Sequence, residues 1–309
     1  MNQAQFDVVC VASWNADLIS QVARPIARGE TLMASAFSIS PGGKGSNAAV
    51  AAARQGARVA LIARIGDDDF GRMGMNLWHA EGIATAHVEC AAGERSGVAQ
   101  IVVYDDGDNS IAVYPGAGAG LGAQQVHAAS HILQNCRVVM APCEVPLEAT
   151  QQAFAIARKA GAITLLNPAP ARHLPDELLA LVNVLTPNES EVMALTGVTG
   201  AVDEAAADLL ARGVGAVVVT LGADGCRIYQ KGQPPVHLPG HRMAVKDTIG
   251  AGDTFTGALA AALARGEVLG AAAQSANAAA ALSVTRAGAI DGIPLRAEVQ
   301  VLMGRAGRP

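Results

Sequence analysis

A glycine-rich turn followed by an aspartate stands in IGAGDTFTGALAAALARG, residues 249–266. Gly250 and Gly252 give the backbone freedom to turn directly before an apolar, Ala-rich segment, which we predict to be a helix. The free N–H groups and the positive dipole end of a helix attract anions, so this segment suits a phosphate group. Asp253, however, places a carboxylate at the same point of the chain.

Two interpretations of Asp253 are open. As the N-cap of its helix it has a structural role, because Asp is among the best capping residues. Alternatively, the positive helix end lowers the pKa of Asp253 and keeps its carboxylate ionised at neutral pH. An ionised Asp can receive the proton of a hydroxyl that attacks phosphorus, while the N–H groups stabilise the charge on the transferred phosphoryl group.

A second glycine-rich segment, PGGKGSNAAVAA (41–52), fits neither standard phosphate fingerprint. The pattern G-x-x-x-x-G-K-[ST] needs Gly at 38 and Ser or Thr at 45, where the chain has Ser38 and Gly45. Either a plain turn precedes a helix capped by Ser46 or Asn47, or backbone N–H groups, Lys44 and Asn47 line a site for a polyol or phosphate. GAGDTFTG likewise fails G-x-G-x-x-G.

Polar residues also follow three predicted strands, where α/β proteins place ligands. Asn15 and Asp17 come directly after the first strand, and the pair suits vicinal sugar hydroxyls, although an Asx-turn explains it equally well. Glu144 follows a later strand and either binds ligand or caps the next helix. VVVTLGADGC (217–226) is a plain hairpin or a turn whose backbone approaches phosphates.

The segment TPNESE (186–191) has a strong structural explanation. Thr186 and Glu189 fit a capping box, with Pro187 at the first helical position. That leaves Asn188 and Glu191, one turn apart on the helix, to hold a water shell around a magnesium ion.

Short β-branched runs alternate with Ala- and Leu-rich segments along most of the chain. The predicted strands are 6–12, 57–65, 137–141, 162–167, 182–186 and 216–222. The predicted helices are 46–55, 69–81, 146–160, 188–196, 202–212, 253–265 and 268–285. Such alternation predicts an α/β fold with a mostly parallel central sheet that is covered by helices on both faces.

Two segments break this alternation. Residues 13–40 contain one predicted strand, at 30–40, and residues 94–115 contain two, at 96–104 and 111–115, around the turn DDGDNS. We expect both segments to pair as a small β-sheet that covers the crevice as a lid. The core is then formed by residues 1–12, 41–93 and 116–309.

Composition excludes several classes of partner. The net charge of −5 and the absence of a basic run argue against nucleic acid and against an anionic membrane surface. The five cysteines are dispersed without a C-x-x-C pair, which indicates reduced thiols rather than a disulfide framework or a zinc site. The N-terminal residues lack a signal-peptide pattern and no apolar run is long enough to span a membrane, so we expect a cytoplasmic protein.

The chain resembles the PfkB-type carbohydrate kinases nearly end to end, and the family signature DTxGAGD is present as residues 247–253. Further matching segments are ASWNAD (12–17), PGGKGSNAAVAAARQGA (41–57), IGDDDFG (65–71), NPAPARHLPDELLALVNVLTPNESE (167–191), TLGADG (220–225) and VTRAGA (284–289). The resemblance implies a three-layer α/β sandwich with a small β lid, and a homodimer formed through that lid.

The resemblance also implies the site residues. Asp253 is the implied base, with an anion hole formed by Gly250, Ala251 and Gly252. The implied sugar-binding residues, beside Asp253, are Asn15, Asp17, Gly43, Lys44, Gly45, Ser46, Asn47 and Glu144. The implied ATP-binding residues are Asn188, Thr220, Leu221, Gly222, Ala223, Asp224, Gly225, Gly252 and Asn277. Asn188 and Glu191 match an N-x-x-E element tied to Mg²⁺, mostly through water. The implied ligands of an activating K⁺ are Asp247, Ile249, Ser283, Arg286, Gly288 and Gly292.

Two positions depart from the family pattern. Gly292 stands where the last cation ligand often bears a hydroxyl, so one ligand is expected to be water or absent. Trp14 replaces a smaller aliphatic residue next to Asn15, and we expect so large a ring to influence which sugar fits.

The implied activity is ATP-dependent phosphorylation of the terminal hydroxyl of D-ribose to ribose 5-phosphate, because NPAPARHLPDELLALV is similar to ribose-specific members of the family. The nearest alternative is a family member for another sugar or nucleoside: deoxyribose, fructose, a keto-deoxy acid or adenosine. A NAD-dependent oxidoreductase is disfavoured because G-x-G-x-x-G does not follow the first strand. A sugar sensor without catalysis is disfavoured by the intact Asp253 and N-x-x-E pair.

Overall fold

The computed structural model describes residues 4–306; residues 1–3 and 307–309, which the predicted core includes, lie outside the described part. The strands are β1 (Phe6–Val11), β2 (Asn15–Val22), β3 (Ala36–Gly42), β4 (Val59–Gly66), β5 (Ala84–Ala91), β6 (Gly97–Tyr104), β7 (Asn109–Tyr114), β8 (Cys136–Pro142), β9 (Ile163–Asn167), β10 (Val184–Leu185), β11 (Ala216–Thr220), β12 (Cys226–Gln230) and β13 (Val236–Leu238).

The helices begin and end close to the predicted limits, and four short or terminal ones were not predicted. They are α1 (Lys44–Arg54), α2 (Asp69–Ala80), α3 (Ala123–Ala128), α4 (Ser130–Gln134), α5 (Leu147–Lys159), α6 (Asp176–Leu179), α7 (Glu189–Thr196), α8 (Val202–Ala211), α9 (Ala251–Ala264), α10 (Leu269–Ser283) and α11 (Arg296–Ala306), with 3₁₀ turns at Gly116–Gly120 and Gly222–Asp224. Within residues 4–306, no helix has the length and apolarity that a bilayer crossing requires. The cytoplasmic location stays a prediction.

Nine strands form one sheet in the order β13-β12-β11-β10-β9-β8-β1-β4-β5. Neighbouring strands are parallel except at one end, where β12 pairs antiparallel with β11 and with β13. The predicted α/β class with a mostly parallel sheet is therefore confirmed. Three strands of this sheet, β5, β12 and β13, were not predicted from the sequence. The His and Glu residues of the edge strand β5 are partly exposed, so this strand does not give a buried apolar run.

Both faces of this sheet are buried, which gives the predicted three layers. Val8 and Cys10 of β1 belong to one hydrophobic cluster, whereas the alternate residues Val9 and Val11 belong to the other. The first cluster packs against α1 and α9 and the second against α5 and α8. Small side chains allow α1 and α9 to touch: a Cβ on Gly257 would lie 2.1 Å from the carbonyl oxygen of Ala48.

A separate sheet is formed by four strands in the order β3-β2-β6-β7. All four come from the two segments that break the helix–strand alternation, except that β3 extends two residues past 40, to Gly42. We call this sheet the lid. The predicted strand at 30–40 is β3, shifted to 36–42, and β2 was not predicted. Polar residues open β2 and resemble a turn in the sequence, yet Asn15 pairs with Gly42 on one side and with Gly97 on the other. Those long-range pairings make the segment a strand.

Candidate active site

The glycine turn before α9 places its aspartate inside the helix. Gly250 is the N-cap, with φ 75°, so Asp253 is the third helical residue and the prediction of Asp253 as N-cap is wrong. Its carboxylate instead accepts a hydrogen bond from Nδ2 of Asn47, at 2.8 Å from Oδ2. The side of Gly252 that would carry a Cβ faces open space, with no protein atom within 4 Å. The first helical turn is thus open to a ligand.

Burial controls the charge of Asp253. The residue is 7% exposed, and burial raises the pKa of its carboxyl group to about 6; Lys44 and the Asn47 hydrogen bond lower the pKa, while Glu144 and Glu191 raise it further. The sequence-based expectation of a lowered pKa is therefore wrong, because burial outweighs the favourable interactions. At neutral pH the carboxylate is still mostly ionised, which a proton acceptor requires.

Lys44 lies among acidic side chains at the start of α1. The carboxylate of Asp253 raises the pKa of Lys44 most, against burial, and Glu144, Glu191 and Asp17 raise it as well. Burial, and then the carboxylates of Glu144 and Asp253, raise the pKa of Asp17 to about 6. The ammonium group of Lys44 thus lies within electrostatic reach of four carboxylates, of which that of Asp253 is buried and the other three are partly exposed.

Asp17 reaches this point from the lid, and two glycines give the side chains of Asp17 and its neighbour Asn15 room. A Cβ on Gly97 would lie 2.3 Å from Oδ1 of Asn15, and a Cβ on Gly42 would lie 2.2 Å from Oδ1 of Asp17. The two side chains share one face of β2, since side chains two residues apart on a strand point the same way. Lid and core therefore both contribute polar groups to the same cleft.

Glu144 fixes the glycine turn that precedes α1. Its Oε2 accepts hydrogen bonds from the hydroxyl of Ser13, at 2.6 Å, and from the backbone N–H of Lys44, at 2.9 Å. Ser13 in turn accepts from the N–H of Gly45, at 3.0 Å. Sequence reasoning missed Ser13, although it lies within ASWNAD, two residues before Asn15.

Helix α1 begins at its N-cap Gly43, with φ 89°, and neither Ser46 nor Asn47 caps it. Asn47 contacts the site through its hydrogen bond to Asp253. Ser46 does not: it is fully buried, and its hydroxyl accepts a hydrogen bond from Nε1 of Trp78, at 2.8 Å. A Cβ on Gly45 would lie 2.6 Å from Cα of Ala12, so this glycine permits close packing against β1.

Trp14 does not face the sugar side, contrary to the expectation from the sequence. Its ring is 3% exposed and packs edge-on against Trp78, with ring centroids 5.4 Å apart. The indole N–H donates to the carbonyl oxygen of Phe70, at 3.1 Å. The ring therefore belongs to the core.

A cleft of about 690 Å³ opens on the other side of α9. The predicted nucleotide residues that line it are Asn188, Thr220, Gly222, Ala223, Gly225, Gly252 and Asn277. Leu221 and Asp224 do not line it; Leu221 packs into the core and Asp224 is exposed. The sequence did not single out other lining residues in 240–245, at Thr248 and Phe255, and on α10, because loop and apolar residues carry no chemical signal.

A smaller pocket of about 200 Å³ joins the two sides. Lys44, Asn188, Glu191, Gly252 and Asp253 all line it. The capping box of α7 is formed by Asn188 and Glu191, not by the predicted Thr186 and Glu189. The Asn188 side chain accepts the N–H of Glu191 at 2.8 Å, and Oε2 of Glu191 accepts the N–H of Asn188 at 2.8 Å.

The residues of the predicted potassium site meet through Gly288. Asp247 accepts the N–H groups of Ile249 and Gly288 at 2.9 and 2.8 Å, through its two carboxylate oxygens. The N–H of Gly292 donates to the carbonyl oxygen of Gly288 at 2.9 Å, and a Cβ on Gly292 would lie 2.8 Å from the carbonyl oxygen of Ser283. The guanidinium of Arg286 is bound to Glu298.

Acidic, His and Cys side chains nowhere form a cluster of three or more that could chelate a metal within residues 4–306. Backbone carbonyls and single carboxylates such as that of Glu191 are oxygen ligands of the kind that hard cations prefer.

Comparisons with known proteins agree with this arrangement. A family model described as pfkB family carbohydrate kinase matches residues 5–296. A ribokinase of Haemophilus influenzae is 39% identical over 292 residues, which cover 93% of this chain and 95% of the relative. A deoxyribokinase of Salmonella typhi is 36% identical over 259 residues, which cover 82% and 84%. The structure of Arabidopsis thaliana ribokinase complexed with ribose and ATP matches with a TM-score of 0.90 at 31% identity, covering 96% of this chain and 98% of the other.

Proposed function

We propose a substrate and a mechanism from one premise: this chain belongs to the pfkB family of carbohydrate kinases, whose model matches residues 5–296. The proposed reaction is transfer of the γ-phosphoryl group of ATP to the terminal, 5-hydroxyl group of D-ribose. The observation that carries the proposal is the buried carboxylate of Asp253, which lines the small pocket that shares Asn188, Thr220 and Gly252 with the nucleotide-sized cleft.

In the proposed mechanism, Asp253 accepts the proton of the attacking hydroxyl. Asn47 orients the carboxylate through its hydrogen bond to Oδ2. In the first turn of α9 the N–H of Ala251 donates to the carbonyl oxygen of Thr248. The N–H groups of Gly252 and Asp253 lack intrahelical acceptors, and they donate to the oxygens of the transferred phosphoryl group. Lys44 lines the small pocket together with Asp253 and Glu191, and there its positive charge offsets charge that develops on those oxygens.

Ribose is favoured by the relatives and by the polar groups of the cleft. The Haemophilus influenzae relative and the Arabidopsis thaliana structure carry the name ribokinase, and the latter holds ribose and ATP. Asn15 and Asp17 on β2 supply an amide and a carboxylate that suit neighbouring sugar hydroxyls. Deoxyribose is the second candidate, because the Salmonella typhi relative is a deoxyribokinase of similar identity.

A screen of ADP release across ribose, deoxyribose, fructose, a keto-deoxy acid and adenosine tests the substrate. We expect ribose to give the highest kcat/KM. A higher value for another acceptor would overturn the ribose assignment and keep the family.

The variant Asp253→Asn tests the base. We expect turnover to fall by roughly 10²–10⁴-fold, the usual contribution of a general base, while the Kd for ATP changes little. Asp69→Asn is the matched control, because that side chain is 91% exposed on α2. Near-wild-type turnover of Asp253→Asn would refute the assignment.

We also propose that Mg²⁺ and K⁺ support the reaction. One oxygen of Glu191 caps α7, and the other is available for water-mediated contact with Mg²⁺ in the pocket that Asn188 also lines. When bound, Mg²⁺ neutralises phosphate charge. The carbonyl oxygens of Ser283 and Gly288, which lie near Gly292, are the proposed oxygen ligands of K⁺. Equal turnover in potassium, sodium and choline chloride would exclude potassium activation.

A homodimer through the lid is proposed from its two edge strands. Their exposed apolar side chains are Phe37 and Ile39 on β3, and Ile111, Val113 and Tyr114 on β7. Exposed apolar edge strands mark a surface that a partner covers. Sedimentation equilibrium should give a dimer, and Ile111→Glu should shift it toward monomer. A wild-type monomer at tens of micromolar concentration would refute the dimer.

A further inference from the structure

We propose that the N-terminal turn of α2 is the fixed mount of the lid, and that Asp68 is a positioning residue for the sugar-binding Asn15. The segment IGDDDFG (65–71) contains this turn and has no role in the mechanism above. The inference rests on the proposed function only in taking Asn15 to bind the acceptor sugar.

Asp68 holds the segment that leads from β5 into lid strand β6. Its Oδ2 accepts the backbone N–H of Ser96 at 2.9 Å, and its Oδ1 accepts the Ser96 hydroxyl at 2.7 Å. Oδ1 also accepts the N–H of Gly71, at 2.8 Å, because Asp68 is the N-cap of α2. The Ser96 hydroxyl accepts the N–H of Gly66, at 3.0 Å. The segment that leads into β6 is therefore bound to the core by side-chain hydrogen bonds as well as by its covalent backbone.

This anchored segment contacts Asn15 directly. Gly97 follows Ser96 and is the residue opposite Asn15 in the pairing of β6 with β2. A Cβ on Gly97 would lie 2.3 Å from Oδ1 of Asn15, so the amide lies against the backbone of residue 97. A displacement of Ser96 therefore displaces the surface against which the Asn15 side chain rests.

The same turn of α2 also holds the other entry to the lid, between β1 and β2. Trp14 precedes Asn15, and its indole N–H donates to the carbonyl oxygen of Phe70 at 3.1 Å. A Cβ on Gly74, one turn later, would lie 2.9 Å from the Trp14 ring. Both strands that meet at Asn15 are thus anchored to the first two turns of one helix.

The charge of Asp68 fits this role. Burial raises the pKa of its carboxyl group, but the hydrogen bonds from Ser96 and Gly71 outweigh burial, so the net pKa is lowered. Both oxygens accept hydrogen bonds from backbone or hydroxyl donors. The adjacent Asp69 instead pairs with the exposed Arg72 on the helix surface.

A simple helix cap and a lid mount predict different results for Asp68→Asn. Asn caps helices about as well as Asp, so a residue that only caps α2 tolerates the change. A residue that anchors the lid does not tolerate the change. If the Asn amide keeps its oxygen toward the N–H of Gly71, its NH₂ group is turned toward the N–H of Ser96. Two donors then face each other where Oδ2 had accepted a hydrogen bond.

The experiment measures KM for the sugar, KM for ATP and kcat in the full-length protein, with Asp69→Asn as the control. We expect Asp68→Asn to raise the sugar KM roughly tenfold or more, as loss of a hydrogen bond to a charged group commonly does. The KM for ATP should stay within about twofold of wild type. Asp69→Asn should match wild type in all three constants.

Equal sugar KM values for Asp68→Asn and Asp69→Asn would overturn the proposal, and so would a parallel rise of both KM values. Ser96→Ala removes the hydroxyl without the carboxylate and decides the question if Asp68→Asn does not fold. It should raise the sugar KM selectively, by a smaller factor. The sugar used is the acceptor that the wild-type protein phosphorylates best. An error in the ribose assignment is therefore seen with the wild-type protein, whereas an error in the proposed role of Asp68 is seen only with the variants.

Discussion

Burial of Asp253 has a consequence for stability that opposes its role in turnover. The carboxyl group has a pKa of 3.8 without perturbation and about 6 in the folded protein, where burial is the largest cause. An acid whose pKa is raised on folding contributes stability that is fully present below pH 3.8 and is lost as the pH rises through about 6. The ionised form therefore destabilises the fold at neutral pH.

The variant Asp253→Asn keeps the neutral state at every pH and should be more stable than wild type. A shift of about 2 pH units corresponds to about 3 kcal/mol in the free energy of unfolding at pH 8, at about 1.4 kcal/mol per unit. At pH 5 the wild-type carboxyl is mostly protonated in the folded state, and the gain should be about half as large. The attraction of Lys44 is already contained in this shift.

Urea unfolding of the ligand-free protein at pH 8 and at pH 5 measures both values. Trp14 and Trp78 are the two tryptophans of the chain and both are buried, so their emission reports loss of the core. Asp69→Asn is the control and should change the free energy by less than about 0.5 kcal/mol at either pH. The reasoning is wrong if Asp253→Asn is no more stable than wild type at pH 8, or if its gain does not shrink at pH 5.

Three further predictions concern the site. Below about pH 6, kcat/KM for the sugar should fall about tenfold per pH unit, because the coupled carboxyl groups of Asp253 and Asp17 gain a proton there. A pH profile that is flat down to pH 5 would contradict this. Gly252→Ala should leave the Tm within about 1 °C of wild type, because the added methyl group enters open space at the start of α9. It should lower kcat/KM for ATP roughly tenfold or more, because the methyl group occupies the space of the proposed anion hole. Full activity of this variant would refute an anion hole there. Gly292→Ser should lower the free energy of unfolding by about 1–3 kcal/mol, since its Cβ would collide with the carbonyl oxygens of Ser283 and Gly288. An unchanged urea midpoint would exclude that collision.

The sequence determined most of the parallel sheet and the longer helices. After one charged residue near its start, each of the strands β1 and β8 is a continuous apolar run, a pattern that local composition records because both faces are buried. Helix α9 was also predicted from its Ala-rich sequence, although it begins at Ala251, two residues before the predicted start. The resemblance to the PfkB-type kinases covers these same segments and agrees with the family match.

Tertiary structure decided which polar residues meet and what charge they carry. Asn47 and Asp253 are separated by 206 positions and are joined by a hydrogen bond because Gly257 lets α1 and α9 touch. The pKa of Asp253 depends on how much protein covers the carboxylate, which no local pattern records. For that reason the sequence alone led to the wrong prediction of a lowered pKa for Asp253.

The lid and the anchors around it also required three dimensions. The strand character of Asn15 comes from backbone pairing with residues 42 and 97, and the inward direction of Trp14 comes from the carbonyl of Phe70. Three consecutive acids in IGDDDFG are indistinguishable in the sequence, yet only Asp68 accepts both donors of Ser96. Local sequence fixes what a segment prefers, whereas long-range contacts fix what each side chain faces, and catalysis depends on the second.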